Sequence, residues 1–165
     1  MTDFAELLRV LSEKRVSFIL VGGVAAVAHG SARFTQDVDV VYQRSSENID
    51  RLVESLREHQ PYLRGAPPGL PFQFDAQTVL RGMNFTLTTR LGDLDLFGEI
   101  VGGGSYEDLI EHTFSLNAFG IRCCCLDIET LIRVKRAAGR PKDLEAIAEL
   151  EALLQDRLGE SDRGD

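Results

Sequence analysis

The stretch that decides the fold is Phe18-Ile-Leu-Val-Gly22-Gly23, followed after thirteen residues by Asp37-Val-Asp39-Val-Val41. The first, apolar run predicts a short buried strand that ends at the two glycines. The second run predicts another buried strand, in which successive side chains point to opposite faces of a sheet. Asp37 and Asp39 then share one face about 6.6 Å apart, while the valines pack into the core.

Two carboxylates on one face of a buried strand favour a divalent cation. Like charges at this spacing raise each other's pKa, which costs stability unless a cation lies between them. Mg²⁺ prefers oxygen ligands, and pairs of Mg²⁺ ions about 3.5–4 Å apart occur in phosphoryl-transfer sites. The sequence therefore predicts a metal site at Asp37 and Asp39. The alternative is that both aspartates cap a turn before a strand that begins at Val40.

A third carboxylate is offered by Gly92-Asp-Leu-Asp-Leu-Phe97. Asp95 lies between two leucines, and an adjacent strand would bring it about 4.8 Å from the first pair. Asp93 has the same facing by parity, but it follows Gly92 and fits a turn, so we favour Asp95 over Asp93. The other interpretation of Asp95 is a solvent-facing residue at the edge of a hairpin.

Gly22 and Gly23 end a strand directly before a helix. Backbone N–H groups exposed at such a turn can hold phosphate, because the start of a helix is positively polarised. Two glycines after a strand are, on their own, typical of a simple turn. The Asp-x-Asp pattern that follows makes a phosphate site the stronger interpretation.

The rest of the chain alternates helices and strands and then becomes rich in hairpins. Apolar spacing, caps and glycine stops predict helices over 4–14, 24–29, 47–58, 128–138 and 141–155, a helical turn over 105–112, and strands over 16–21, 38–42, 85–89, 94–97, 114–116 and 121–125. Residues 60–74 hold four of the five prolines and predict a loop, either a connector or a mobile lid. We therefore predict an α/β (α+β) fold, a mixed central sheet flanked by helices. One domain spans 1–155, and the charged residues 156–165 form a disordered tail.

Composition limits the class of protein. The chain has 165 residues, 44% of them hydrophobic, and a net charge of -8, which disfavours a protein that coats nucleic acid. Three consecutive cysteines, Cys123 to Cys125, predict a buried or half-buried strand in a reducing cytoplasm rather than a metal site. No apolar run reaches the roughly 18 residues of a membrane span, and no secretory leader pattern opens the chain. We expect a soluble cytoplasmic protein with no membrane partner.

The fuller sequence pattern resembles a known superfamily. The residues concerned are Gly22-Gly-Val-Ala25, His29-Gly30, Arg33-Phe-Thr-Gln-Asp37-Val-Asp39, Lys135 and Arg140-Pro-Lys-Asp143. They are similar to the DNA polymerase β nucleotidyltransferase superfamily, and within it to the small bacterial branch of AbiEii-like toxins and related nucleotidyltransferase-like proteins. The resemblance spans residues 16–150.

The resemblance implies a role for each of the residues singled out above. Asp37 and Asp39 would hold two Mg²⁺ ions, for which Mn²⁺ can substitute. Asp95 would be a third ligand or the base for the acceptor hydroxyl. Gly22 and Gly23 would hold the triphosphate of an NTP, although the more active-looking enzymes carry Gly-Ser at this turn and Gly23 offers only its backbone.

The resemblance also implies an enzyme. A nucleotidyltransferase of this type transfers an NMP from an NTP to a hydroxyl of RNA, such as tRNA, or of a protein, in a toxin–antitoxin or abortive-infection context with a cognate partner. The alternative is a non-catalytic module that keeps the fold and binds a nucleotide or a partner without turnover. Mg²⁺-dependent NTP binding without pyrophosphate release would identify the module.

Further candidates lie on the nucleotide side. Arg33 and Thr35 are just upstream of the paired acids, although Arg33 also suits an ion pair with one of the many acids. Lys135 lies in residues 133–142, which hold five basic residues and form either a phosphate contact or a solvated helix face. His29 fits packing or capping of the short helix better than acid–base chemistry.

Overall fold

The fold is built on a seven-stranded mixed sheet. The computed structural model describes residues 1–164, and its strands in chain order are β1 (Phe18–Val21), β2 (Asp37–Tyr42), β3 (Tyr62–Leu63), β4 (Asn84–Thr89), β5 (Gly92–Phe97), β6 (Glu99–Ile100), β7 (Gly104–Ser105), β8 (Thr113–Ala118) and β9 (Ile121–Leu126). The main sheet has the order β3-β4-β5-β2-β1-β9-β8, and β6 and β7 pair separately. The fold class predicted from the sequence is confirmed.

Helices flank this sheet. They are α1 (Phe4–Glu13), α2 (Gly22–Ala28), α3 (Ser46–Leu56), α4 (Ala76–Arg81), α5 (Tyr106–Leu109), α6 (Ile128–Ala138) and α7 (Leu144–Arg163), with 3-10 turns at Arg57–His59, Ile110–His112 and Pro141–Asp143. Asp3, Ser45 and Asp127 cap α1, α3 and α6 by accepting a backbone N–H of the first turn. Among residues 1–164, no helix combines the length and the apolar character needed to cross a membrane.

Strand direction determines where polar side chains collect. β2 runs antiparallel to β1 and parallel to β5, so the first residues of β2 and β5 meet where β1 ends. One row across the sheet joins Val21, Asp39, Asp95 and Thr86. This register brings two separate Asp-x-Asp stretches, one on β2 and one on β5, side by side at the same end of these central strands.

The two faces of β4 and β5 differ in burial. Leu87, Leu94 and Leu96 are fully buried on one face, in the main hydrophobic core. On the opposite face Thr86 is exposed and Asp95 is half-buried. Asp95 therefore lies on the face of the sheet that is exposed to solvent at Thr86 of β4.

The local patterns that predicted strands and caps are largely confirmed. Both hairpins are present, and Gly139 ends α6 with a φ of 64°, a left-handed conformation that suits glycine. Cys123 and Cys125 are buried and Cys124 is half-buried on β9, and all three are free thiols. The helix after β1 begins at Gly22 rather than Val24.

Two predictions about less regular segments are wrong. Residues 60–74 are not entirely a loop, because β3 pairs with the edge of β4, and α4 follows where no helix was predicted. The last helix does not end near Gln155: α7 continues to Arg163, and Arg157 donates to the backbone oxygen of His29 at 2.9 Å. The domain boundary at residue 155 stays a prediction, and residue 165 of the predicted tail lies outside the described residues.

Candidate active site

Three aspartates converge at the edge where β1 ends and β2 and β5 begin. Asp37, Asp39 and Asp95 each offer a carboxylate oxygen, and these oxygens all lie within 4.8 Å of one another. Asp39 pairs with Asp95 across the parallel strands, and Asp37 pairs with Asp93. The group of three contains Asp95 and not Asp93. We call it the acidic triad; its predicted role as a metal site remains a prediction.

Burial and mutual repulsion raise the pKa of two aspartates of the triad. Burial raises the pKa of Asp39 to about 7, with Asp95 and Asp37 adding to the rise and the Gly23 backbone N–H opposing it. The pKa of Asp37 is also raised, first by burial and then by Asp95. Within residues 1–164, Asp39 Oδ1 is buried without a hydrogen-bond partner. A buried carboxylate oxygen in this state fits a site that accepts a cation.

Arg64 is a residue of this site that the sequence did not predict. Its Nη2 lies 2.7 Å from Asp95 Oδ1, its Nη1 lies 3.6 Å from Asp37 Oδ2, and its Nε lies 3.5 Å from Asp93 Oδ2. One guanidinium therefore partly neutralises several carboxylates that crowd each other.

The position of Arg64 depends on sheet pairing. Its backbone N–H donates to Thr86 O at 2.9 Å, which extends the pairing of β3 with β4 by one residue. Its Nη2 donates to Leu87 O at 2.7 Å, so the side chain lies across β4 towards β5. Only a prediction of the two-residue strand β3 within the proline-rich segment would have pointed to Arg64.

The two glycines after β1 make close approaches that a side chain would block. Gly22 has a φ of 63°, and a Cβ there would overlap Asp39 Oδ2. A Cβ on Gly23 would lie 2.6 Å from Thr35 Oγ1, a distance that real Cβ atoms do not tolerate. The backbone of this turn therefore packs directly against Asp39 and Thr35.

Four of the five predicted nucleotide-side residues line one small cavity of about 90 Å³: Gly23, Arg33, Thr35 and Lys135. We call it the nucleotide-side cavity. Gly22 does not line it and lies against Asp39 instead. Lys135 is half-buried, and burial lowers its pKa, an effect that Asp143 opposes. Arg33 also pairs with Glu145 at 3.4 Å, so the ion-pair interpretation of Arg33 holds as well.

A second, larger cavity adjoins the first, because Phe34 and Thr35 line both cavities. Its volume is about 640 Å³, and its other walls include Thr88, Arg90 and Asp93. Phe34 is 82% exposed, an unusual position for a phenylalanine. Because Asp93 pairs with Asp37, this larger cavity reaches the acidic strands.

His29 has a packing role, as the sequence suggested. It is buried, its Nε2 lies 2.8 Å from Leu126 O, and its ring packs against Phe114 at 5.1 Å between centroids. Arg157 donates to its Nδ1 at 3.1 Å. Both ring nitrogens are therefore occupied by structural contacts.

Comparison with solved structures shows that this fold has known counterparts. The lincosamide antibiotic adenylyltransferase LnuA, crystallised with lincomycin bound, aligns with a TM-score of 0.60 at 15% identity, over 92% of this chain and 98% of that chain. At this identity the likeness shows a shared fold. A Thermotoga maritima protein described as a nucleotidyltransferase aligns with a TM-score of 0.48 at 13% identity, over 93% and 89% of the two chains. That likeness is too distant to support an inference.

Sequence comparison shows the family. No protein with a curated description matches the chain significantly. Residues 6–135 match the family described as the nucleotidyl transferase AbiEii toxin of a type IV TA system. Because that match covers most of the chain, including both stretches that carry the acidic triad, the chain belongs to the AbiEii nucleotidyltransferase toxin family.

Proposed function

We propose that the chain transfers a nucleoside monophosphate from an NTP to a hydroxyl of RNA or of a protein, as the toxin of a toxin–antitoxin pair with a cognate antitoxin. In this reaction the acceptor oxygen bonds to the α-phosphorus of the NTP, the bond to pyrophosphate breaks, and the hydroxyl proton passes to a base. The observation that carries the proposal is the convergence of three carboxylate oxygens within 4.8 Å at one edge of the sheet.

The residues of the triad fit divalent cations. Carboxylate oxygens are the ligands that Mg²⁺ prefers, and Asp39 Oδ1 is buried with no hydrogen-bond partner in the described part of the chain. We assign Asp37 and Asp39 as ligands of two Mg²⁺ ions and Asp95 as the third ligand or the proton acceptor. When bound, Mg²⁺ would neutralise charge on the transferred phosphoryl group and on the attacking oxygen. The chain itself would contribute positioning of both substrates.

Thr35 offers a hydroxyl beside the glycine turn. Its Oγ1 lies 2.6 Å from the place that a Cβ on Gly23 would take, and it donates to Asp37 O at 3.2 Å. A serine at position 23 would collide with Thr35, so the Gly-Gly turn and Thr35 form a matched pair. We assign to Thr35, with Arg33 and Lys135, the contacts to the triphosphate.

The larger cavity suits the acceptor. A volume of about 640 Å³ lies within the range of small-molecule and nucleotide sites. It contains an exposed aromatic ring, Phe34, and a cationic side chain, Arg90, beside Asp93. An acceptor bound there would bring its hydroxyl towards the acidic strands, next to the nucleotide-side cavity with which this cavity shares Phe34 and Thr35.

The test of this function is label transfer. The protein is incubated with each α-labelled NTP, Mg²⁺ and either bulk tRNA or a candidate partner protein, and label on the acceptor is compared with released pyrophosphate. Equal amounts of the two products are expected. Mg²⁺-dependent NTP binding without pyrophosphate release would establish the non-catalytic module instead. Transfer that survives the double change Asp37→Ala and Asp39→Ala would remove both residues from the mechanism.

Loss of the lysine in the nucleotide-side cavity is expected to weaken NTP binding. Lys135→Ala should raise the KM for NTP about tenfold or more, because it removes a half-buried ammonium that would make a charge-assisted contact with phosphate. The matched control is Lys142→Ala, which removes an exposed lysine of the same basic segment. The measurement is pyrophosphate release as a function of NTP concentration. Equal KM values in the two variants would contradict the assignment of Lys135.

A further inference from the structure

The last helix contributes a wall to the nucleotide-side cavity. α7 lies beyond residues 6–135, the part of the chain that matches the family. Nevertheless its Ala146, Glu149 and Leu150 line the cavity together with Gly23 of the glycine turn. The contribution of α7 to the site therefore follows from this structure and not from the family match.

An irregular segment forms another wall of the cavity. Residues 31–36, between α2 and β2, have neither helical nor strand backbone. They carry Arg33, Phe34 and Thr35, which all line the nucleotide-side cavity, and of these Phe34 and Thr35 also line the larger cavity. A segment without regular structure needs other partners for its backbone groups, and its conformation is defined by them.

Glu149 provides partners for the first residues of this segment. One of its carboxylate oxygens accepts a hydrogen bond from Ser31 Oγ, and the other accepts from the Ala32 backbone N–H at 3.2 Å. Ser31 Oγ in turn accepts from the Arg33 backbone N–H at 3.1 Å. These hydrogen bonds lower the pKa of Glu149, that from Ser31 most, so its carboxylate is ionised at neutral pH.

A second contact from α7 holds His29, two residues before the segment. Arg157, two helical turns after Glu149, donates to His29 O at 2.9 Å and to His29 Nδ1 at 3.1 Å. His29 is buried, so this contact is anchored in the core. α7 therefore fixes the chain both before and within residues 31–36.

We propose that Glu149 is a positioning residue for nucleotidyl transfer: its carboxylate fixes residues 31–36 and so presents Arg33 and Thr35 to the phosphates of the NTP. The carboxylate takes no part in bond formation. Both of its oxygens already accept hydrogen bonds from the segment, so the carboxylate has partners other than the acceptor hydroxyl or the phosphates. The inference rests on the proposed nucleotide site, but its structural half can be measured without turnover.

Hydrogen exchange tests whether Glu149 fixes residues 31–36, and kinetics test whether this affects the binding of NTP. In Glu149→Ala, amide exchange within residues 31–36 is expected to become at least tenfold faster, and the KM for NTP to rise about tenfold with kcat changed less than threefold. Glu149→Gln keeps one accepting oxygen and should recover part of both effects. The control is Glu151→Ala, which removes the ion pair of α7 with Arg136 on α6 without touching the segment.

Each result bears on the proposal. Unchanged exchange in residues 31–36 of both Glu149 variants would overturn it, and so would faster exchange with an unchanged KM. The same loss in Glu151→Ala would show a general loosening of α7 and would also overturn it. Failure of the wild-type protein to bind or turn over NTP would refute the proposed function instead, and the exchange data would still decide whether Glu149 fixes the segment.

Discussion

Asp39→Asn is expected to lower label transfer by about a thousandfold or more while the protein stays folded. Asparagine keeps the shape of the side chain but removes the charge that we assign to metal binding. Loss of a metal ligand at a phosphoryl-transfer centre removes several kcal/mol of transition-state stabilisation, and each 1.36 kcal/mol is about tenfold in rate. Transfer is measured with labelled NTP at saturating Mg²⁺.

Stability of the same variant separates a catalytic role from a structural one. The pKa of Asp39 is raised to about 7 by burial and by its acidic neighbours, well above its ordinary value of 3.8. The folded state therefore holds a proton that the unfolded state has released, and the metal-free wild type loses stability as the pH rises from about 4 to about 7. The asparagine variant lacks this loss, so at pH 7.5 in EDTA it should melt no lower than wild type.

The matched control is Asp50→Asn, which changes an exposed acid on α3 that is not part of the acidic triad. It should keep both the activity and the pH profile of melting. If Asp39→Asn retained substantial transfer, or melted below wild type at pH 7.5, then Asp39 would be a structural residue and its assignment as a metal ligand would be wrong.

The fold and the triad could be predicted because their signals are local. Apolar runs such as Phe18–Val21 predict buried strands on their own, and an N-cap such as Asp127 marks where a helix begins. Asp39 and Asp95 stand out because a carboxylate between apolar residues contradicts the burial that the strand pattern predicts. A conflict of this kind within one short stretch is visible without any tertiary information.

What could not be predicted depends on pairing between distant segments. Tyr62 and Leu63 form a strand only because the edge of β4 is available to them, and without that pairing Arg64 is one arginine among fifteen. The same holds for α7, whose residues beyond Gln155 contact a histidine 128 positions earlier through Arg157. Propensity and periodicity carry no information about such contacts.

Arg64→Gln is expected to raise the affinity of the protein for Mn²⁺ about tenfold or more and to lower the melting temperature of the metal-free protein. The guanidinium lies 2.7 Å from Asp95 Oδ1, so it competes with a divalent ion for the same carboxylate. An opposite charge about 4 Å away is worth about 4 kcal/mol at an effective dielectric constant of 20. Without Arg64 the negative charge of Asp95 has no neighbouring positive charge among the described residues to compensate it. The metal-free site is then less stable, and it attracts a divalent ion more strongly.

Titration calorimetry with MnCl₂ at pH 8 and melting curves in EDTA measure the two effects, with Arg57→Gln as the control because that arginine is exposed and pairs only with Glu54 among the described residues. Arg64→Gln should show opposite changes: a lower melting temperature without metal and a larger rise on adding Mn²⁺. If its Mn²⁺ affinity fell instead, Arg64 would orient the carboxylates for the ion rather than compete with it. If the wild type bound no Mn²⁺ even at the highest concentration titrated, the triad would not be a metal site. Arg64 would then be the permanent counter-ion of the triad.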